Sequence, residues 1–142
     1  MGQDPFRLVL PAGHRLARRQ RLRLSDLARE RFCAPPRTGA GVTYREMLDD
    51  VCAEGGFEPT IAYTIGDVAV ARALVAAGLG VAVMGEHTIP RADTTVAVRP
   101  LPGGRAPARR IIATWLRGRR VPAVDRMLPL LTAAAAAQMR SA

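Results

Sequence analysis

The usual nucleophiles and imidazole bases number six in this chain of 142 residues: Ser25, Ser141, His14, His87, Cys33 and Cys52. Nucleophilic catalysis needs such a group beside a base, with a third group orienting the base. Ser25 precedes Asp26-Leu27-Ala28-Arg29 and reads as a helix cap, Ser141 lies in the C-terminal tail, and neither histidine has a local partner that suggests a dyad. A zinc site takes about four ligands, and no CxxC or HxxxH spacing supplies them. Both cysteines therefore read as small, reduced core residues. Asp49 and Asp50 are adjacent on a predicted helix and point apart, so they do not form a catalytic carboxylate pair. No catalytic residue, metal or cofactor is assigned.

Two glycine-rich stretches bear on ligand binding. Gly78-Leu79-Gly80 lacks the third glycine of a dinucleotide fingerprint, because Val83 stands there, and it precedes a strand instead of a helix. Pro36-Arg37-Thr38-Gly39-Ala40-Gly41 lies between a strand and a helix, where backbone N–H groups receive anions. Without the lysine and spacing of a phosphate loop, it reads either as an anion or carboxylate site or as a plain connection.

The elements that position these loops follow from hydrophobic spacing. Phe6–Leu10 predicts a strand closed by Pro11 and Gly13, and Phe32-Cys33-Ala34 a second one stopped by Pro35-Pro36. Tyr44, Met47, Leu48, Val51 and Cys52 recur at helical spacing, with Arg45, Glu46, Asp49, Asp50 and Glu54 assigned to the solvent face. Thr43 and Glu46 have capping-box spacing, although the helix could start as early as Gly39 to Gly41. Residues 60–65 predict a strand, Asp67 a cap for a helix over 68–77, and Val81–Met84 a buried parallel strand. Strands over 95–99 and 110–116 follow, then a helix from Pro122 striped by Val124, Met127, Leu128 and Leu131. Alternating strands and helices predict an α/β fold with a largely parallel sheet.

Composition bounds the function classes. Hydrophobic residues make up 49% of the chain and mean hydropathy is +0.05, which suffices for a core; aromatics supply only 4%. No apolar run reaches the length of a membrane span, and the start MGQDPFRLVLPAGH lacks the architecture of a secretion signal. The expectation is a soluble cytoplasmic protein. All 21 basic residues are arginine. The net charge of +9 is divided unevenly, with +5 over residues 1–31, −4 over 32–98 and +8 over 99–142. The clusters Arg18-Arg19-Arg21-Arg23 and Arg117-Arg119-Arg120 lack interleaved aromatics. They predict a solvated or partner-facing surface in preference to nucleic-acid binding.

The order of these motifs resembles a known family. FRLVLPAGHRLA (residues 6–17), LSDLARERF (24–32), FCAPPRTGAGVTYREML (32–48), GGFEPTIAYTIGDVAVARALVAAGLGVAVM (55–84), VAVRPL (96–101) and IIATWLRG (111–118) together resemble the C-terminal effector-binding domain of LysR-type transcriptional regulators. The resemblance spans roughly residues 5–139, and its most specific piece is the stretch from Asp67 to Met84.

The resemblance implies a fold similar to type II periplasmic binding proteins. Residues 1–100 would be effector-binding lobe II, and 101–142 a crossover strand and helix returning to lobe I. The winged helix-turn-helix and most of lobe I would fall outside this chain. Effector contacts carry over to Arg37, Thr38 and Gly39, and to Ile65, Gly66 and Asp67. Some members have a hydroxyl where this chain has Gly66, which makes Thr64 a nearby donor. Thr38 reads equally as a helix cap, and Asp67 reads as a cap in preference to an effector contact. The implied function is regulatory binding of a small molecule, often an organic acid in this family, which shifts the population between conformations. The implied partners are that effector, a second copy of the chain in a homo-oligomer, and DNA only through the N-terminal domain of a parent protein. No enzyme activity is implied. The alternative is a fragment of a transporter's solute-binding protein, which would carry a signal peptide and two complete lobes.

Overall fold

Apolar residues on both faces of a strand demand cover on both sides, and Leu8, Val9 and Leu10 are all fully buried. The computed structural model, which describes residues 2–103, 107–114 and 122–140, extends this strand over Gly2–Pro11 as β1. The chain divides into two compact units, one of Phe6–Pro107 and one of Met1–Pro5 with Ala108–Ala142.

In the larger unit, β1 is followed by β2 (Arg31–Ala34), α1 (Gly41–Glu54), β3 (Thr60–Thr64), α2 (Val68–Ala76), β4 (Ala82–Gly85) and β5 (Val96–Pro100). β1 pairs antiparallel with β4, from Phe6 opposite Gly85 to Val9 opposite Ala82, and antiparallel with β5 on its other side. β2 and β3 pair in parallel, and a parallel bridge from Phe32 to Val81 joins β2 to the entry of β4. The α/β architecture agrees with the sequence reading. Its expected parallel character is confined to β2, β3 and that bridge, because every pairing of β1 is antiparallel. β4 is buried throughout, as its apolar run requires, yet its main partner runs the other way. Burial on both faces dictates apolar residues whatever the direction of the neighbour.

The two-residue period of a strand sorts these side chains onto two faces. Leu8, Leu10, Phe32, Ala34, Val81 and Val83 join Leu48 and Cys52 of α1 in one core cluster. Val9, Cys33, Ala82 and Met84 join Ala71 and Val75 of α2 in another. The cores are sealed by polar contacts at their margins. The hydroxyl of Tyr44 donates to the Val83 carbonyl, and its ring meets Phe6 edge-on at 5.6 Å. The Arg99 guanidinium donates to the carbonyls of Ala17 (2.5 Å) and Arg19 (2.6 Å), closing the 3-10 turn Arg15–Arg18.

Two caps differ from expectation. Ser25 lies inside a single 3-10 turn, Leu24–Leu27, where Asp26 accepts the Arg23 N–H at 3.0 Å. A four-residue turn is too short to need a hydroxyl cap of its own. α1 starts at Gly41 with no side-chain cap, which puts Thr43 within its first turn and leaves the capping box unformed.

In the smaller unit, Gly2–Pro5 pairs antiparallel with β6 (Ala108–Ile111), and Arg109 Nε donates to the fully buried Asp4 carboxylate at 2.6 Å. The strand predicted over 110–116 ends at Ile111 in the described residues; Trp115 and Leu116 lie outside them, as do Ser141 and the cluster Arg117-Arg119-Arg120. α3 (Pro122–Arg140) starts at the predicted proline. Of its stripe, Val124 and Leu128 are half-buried, and Met127 and Leu131 are exposed.

Arg72 of α2 pairs with Asp93 in the loop before β5. The Thr95 hydroxyl and N–H, followed by Arg72, hold the Asp93 carboxyl below its ordinary value of 3.8. A carboxyl depressed in the folded state stabilises above its unfolded pKa and ceases to do so as pH falls through the folded one. Asp93→Asn should therefore lower the melting midpoint at pH 7, and the gap to the parent chain should shrink as pH is taken below 3.8. Calorimetric melts across that range check it.

Candidate functional site

Parallel pairing puts the C-terminal ends of β2 and β3 side by side. Ala34 stands opposite Thr64 in register, and Ile65 N–H donates to the Ala34 carbonyl at 2.9 Å. The loops leaving these ends each feed a helix, 35–40 into α1 and 65–67 into α2. Ligands of open α/β sheets bind at this kind of edge, beyond the carboxyl ends of strands, where helix N-termini favour anions. Arg37, Thr38 and Gly39 on the first loop thus share an edge with Thr64, Ile65, Gly66 and Asp67 on the second.

The first loop is tightly wound. The Thr38 carbonyl accepts the Gly41 N–H at 3.0 Å, and Gly39 has φ +54, in the left-handed region that favours glycine. At Gly41 a Cβ would stand 2.1 Å from the Pro36 carbonyl oxygen, so the turn into α1 requires a bare backbone there. Thr38 is exposed, and it closes the turn with its backbone. Arg37 is exposed but paired: Nη2 lies 2.5 Å from Asp49 Oδ2 on α1.

The second loop is short and capped. Asp67 Oδ1 accepts the N–H groups of Ala69 (2.7 Å) and Val70 (3.0 Å). This gives Asp67 the capping role read from the sequence. Its carboxylate is committed to α2, whereas Thr64 and Gly66 are exposed and Ile65 half-buried.

One residue of this region was assigned to the wrong face by the sequence pattern. Arg45, expected on the solvent side of α1, is only 8% exposed and shares the inward stripe with Leu48 and Cys52. The spacing 45, 48, 52 would have revealed it, but a guanidinium counts as polar in any hydropathy reading. Nη1 of Arg45 lies 3.4 Å from the Pro35 carbonyl, the first carbonyl of the loop.

Other candidate reactive groups are structurally engaged. Nδ1 of His14 accepts the Leu16 N–H at 3.3 Å, which leaves Nε2 to face Glu30 at 3.3 Å. Cys33 and Cys52 are free and buried. Burial, reinforced by the Asp49 charge, pushes the Cys52 thiol up to about 11, and burial raises Cys33 as well. Neither is a thiolate at neutral pH. Among the described residues no three His, Cys, Asp or Glu side chains gather as a metal set. The geometry suits recognition of a small polar or anionic molecule by loop backbone and helix ends.

Comparison with known proteins agrees with that reading of the fold. The profile of the LysR substrate binding domain matches residues 1–136. The HTH-type transcriptional regulator ShiR of Corynebacterium glutamicum (strain R) is 36% identical over 115 residues, which covers 81% of this chain and 38% of that protein. This chain thus spans about two fifths of that relative's length. Two solved structures share the fold at 18% identity. The CcmR regulatory domain of Synechocystis PCC6803 in complex with 2-PG has a TM-score of 0.70, covering 93% of this chain and 63% of that one. The effector binding domain of QuiR in complex with shikimate has a TM-score of 0.60, covering 75% and 49%.

The entry into α1 can be tested directly. Gly41→Ala should destabilise the chain by about 1–3 kcal/mol, since the added carbon meets backbone and not a movable side chain. Asp67→Ala should cost about 1 kcal/mol through the lost cap. Urea unfolding followed by circular dichroism measures both.

Proposed function

Since the chain belongs to the family of LysR substrate binding domains, we propose that it is the ligand-sensing portion of a transcriptional regulator. The observation that carries this reading is the shared edge of β2 and β3, where two helix-feeding loops stand together at the ends of parallel strands. In this reading Arg37, Thr38, Gly39, Thr64, Ile65, Gly66 and Asp67 surround a small-molecule effector. Arg37 and Asp67 contribute chiefly by shaping their loops, because Asp49 and the α2 backbone already engage them. The named ligands of QuiR and CcmR, shikimate and 2-PG, are reasonable first probes for an organic-acid effector.

The chain works by binding and not by turnover in this proposal. Among the described residues His14 is engaged by Leu16 and Glu30, and Cys33 and Cys52 are buried thiols, which supports a binding role. Residues 1–100 act as effector lobe II, and 101–142 return to lobe I. DNA is contacted through a further domain of a longer polypeptide, in the cytoplasm. Effector binding biases a conformational equilibrium that the assembled regulator reads out.

Binding should stabilise the chain in proportion to occupancy, by about 2.7 kcal/mol at a ligand concentration one hundred times Kd. A melting-midpoint screen of organic acids, with shikimate and 2-PG included, is the test. A panel in which no small molecule raises the midpoint would remove the proposal. We also expect self-association, because Met127 and Leu130 of α3 are 54% and 70% exposed. Sedimentation velocity showing a monomer at all concentrations would count against it.

A further inference from the structure

Arg45 is the one arginine among the described residues that is buried, at 8% exposure, and it has no ion-pair partner among them. Six more exposed arginines do have acidic partners: Arg7 is paired with Glu86, Arg15 with Glu30, Arg19 with Asp26, Arg37 with Asp49, Arg72 with Asp93 and Arg109 with Asp4. The Nε of Arg45 is buried and has no hydrogen-bond partner, and its single bond is the long one from Nη1 to the Pro35 carbonyl. A guanidinium offers five N–H donors and does not lose its proton in a protein. A buried cation without an acidic partner and with an orphaned donor is costly, and an anion that reaches it offsets that cost most strongly.

The position of that deficit identifies what corrects it. Arg45 lies one turn inside α1, directly along the helix from Gly41, and its head group rests against the first carbonyl of the 35–40 loop. The positive end of the α1 dipole points to the same place. Asp49, one turn along from Arg45, is engaged by another cation, Arg37.

We propose that the Arg45 guanidinium is the cation that receives an oxyanion of the bound molecule, a carboxylate or a phosphate, at the entry of α1. The proposal rests on the effector-binding reading and adds the chemistry of one contact to it. Arg45 touches the ligand directly, with its head group resting against the Pro35 carbonyl. Arg37, the arginine that the sequence singled out, serves instead to occupy Asp49.

The test titrates the chain with shikimate, the amide of shikimate, 2-PG and inorganic phosphate at constant ionic strength, following the melting midpoint. Parent, Arg45→Met and Arg45→Lys chains are compared. The expected result has three parts. At least one anion stabilises the parent, Arg45→Met binds it about tenfold or more weakly with Arg45→Lys between them, and Arg45→Met without ligand melts no lower than the parent. Whether shikimate or phosphate acts distinguishes the carboxylate from the phosphate source. Equal anion binding by parent and Arg45→Met, or equal binding of shikimate and its amide, overturns the role of Arg45 while effector binding stands. A parent chain that responds to none of the anions overturns it too. Should Arg45→Met fail to fold, Arg45→Lys carries the comparison, and anion affinity unchanged in that variant also sinks the proposal.

Discussion

Strand β1 is the constraint on which the remaining elements depend. It hydrogen-bonds to β4 and β5 along its second half and to β6 along its first. Because Leu8 and Leu10 face one core cluster and Val9 the other, a slip of one residue would exchange the two sets. That alternation fixes the register of β4 and β5 opposite it. The registers of β4 and β2 are tied in turn by the backbone bonds between Cys33 N–H and the Val81 carbonyl, and between Val81 N–H and the Arg31 carbonyl, each 2.8 Å. Gly80 permits this approach, since a Cβ there would lie 2.7 Å from the Arg31 carbonyl oxygen.

The candidate site is a product of that chain of registers. With β2 fixed, β3 lies beside it in parallel, and both strands release their loops at one edge. The helices that follow cover opposite faces, α1 over the cluster of Leu8 and Phe32, α2 over that of Val9 and Cys33. Packing of the two helices thus acts together with the loops to set where their N-termini come to rest. The same arrangement explains why Arg45 is buried. Residues 45, 48 and 52 form the inward face of α1, and the first of them is the one nearest the loop.

Much of this was legible in the sequence. Apolar and β-branched runs bounded by Gly and Pro located β1, β3, β4 and β5 to within a few residues, and the Asp67 cap placed the start of α2 correctly. Order of motifs identified the family where no single motif would have done so. Strand direction was not legible, because β4 needs the same apolar residues beside an antiparallel neighbour as beside a parallel one. The capping box at Thr43 and Glu46 had the right spacing and lay one turn too deep, since the close contact of Gly41 with Pro36 sets the helix start. The ion pair of Arg37 with Asp49 depends on how the 35–40 loop folds back on α1, which spacing along the chain does not encode. Hydropathy hid Arg45 for the plain reason that it scores the tip of a side chain and not its stem.

The absence of lysine gives the buried Tyr44 a consequence for the alkaline side of the stability curve. Arginine holds its charge far above neutrality, so the described arginine ion pairs of the larger unit lose nothing when base is added. The groups that do respond are interior and neutral. Burial is the main force raising the Tyr44 hydroxyl above its ordinary 10.0, and burial likewise lifts Cys52 from 9.0 to about 11. The unfolded chain releases these protons first, so the contribution of these two groups to folding stability declines once pH passes 9 to 10. The hydroxyl that seals α1 to the Val83 carbonyl thus acts as an alkaline fuse. It is silent at neutral pH.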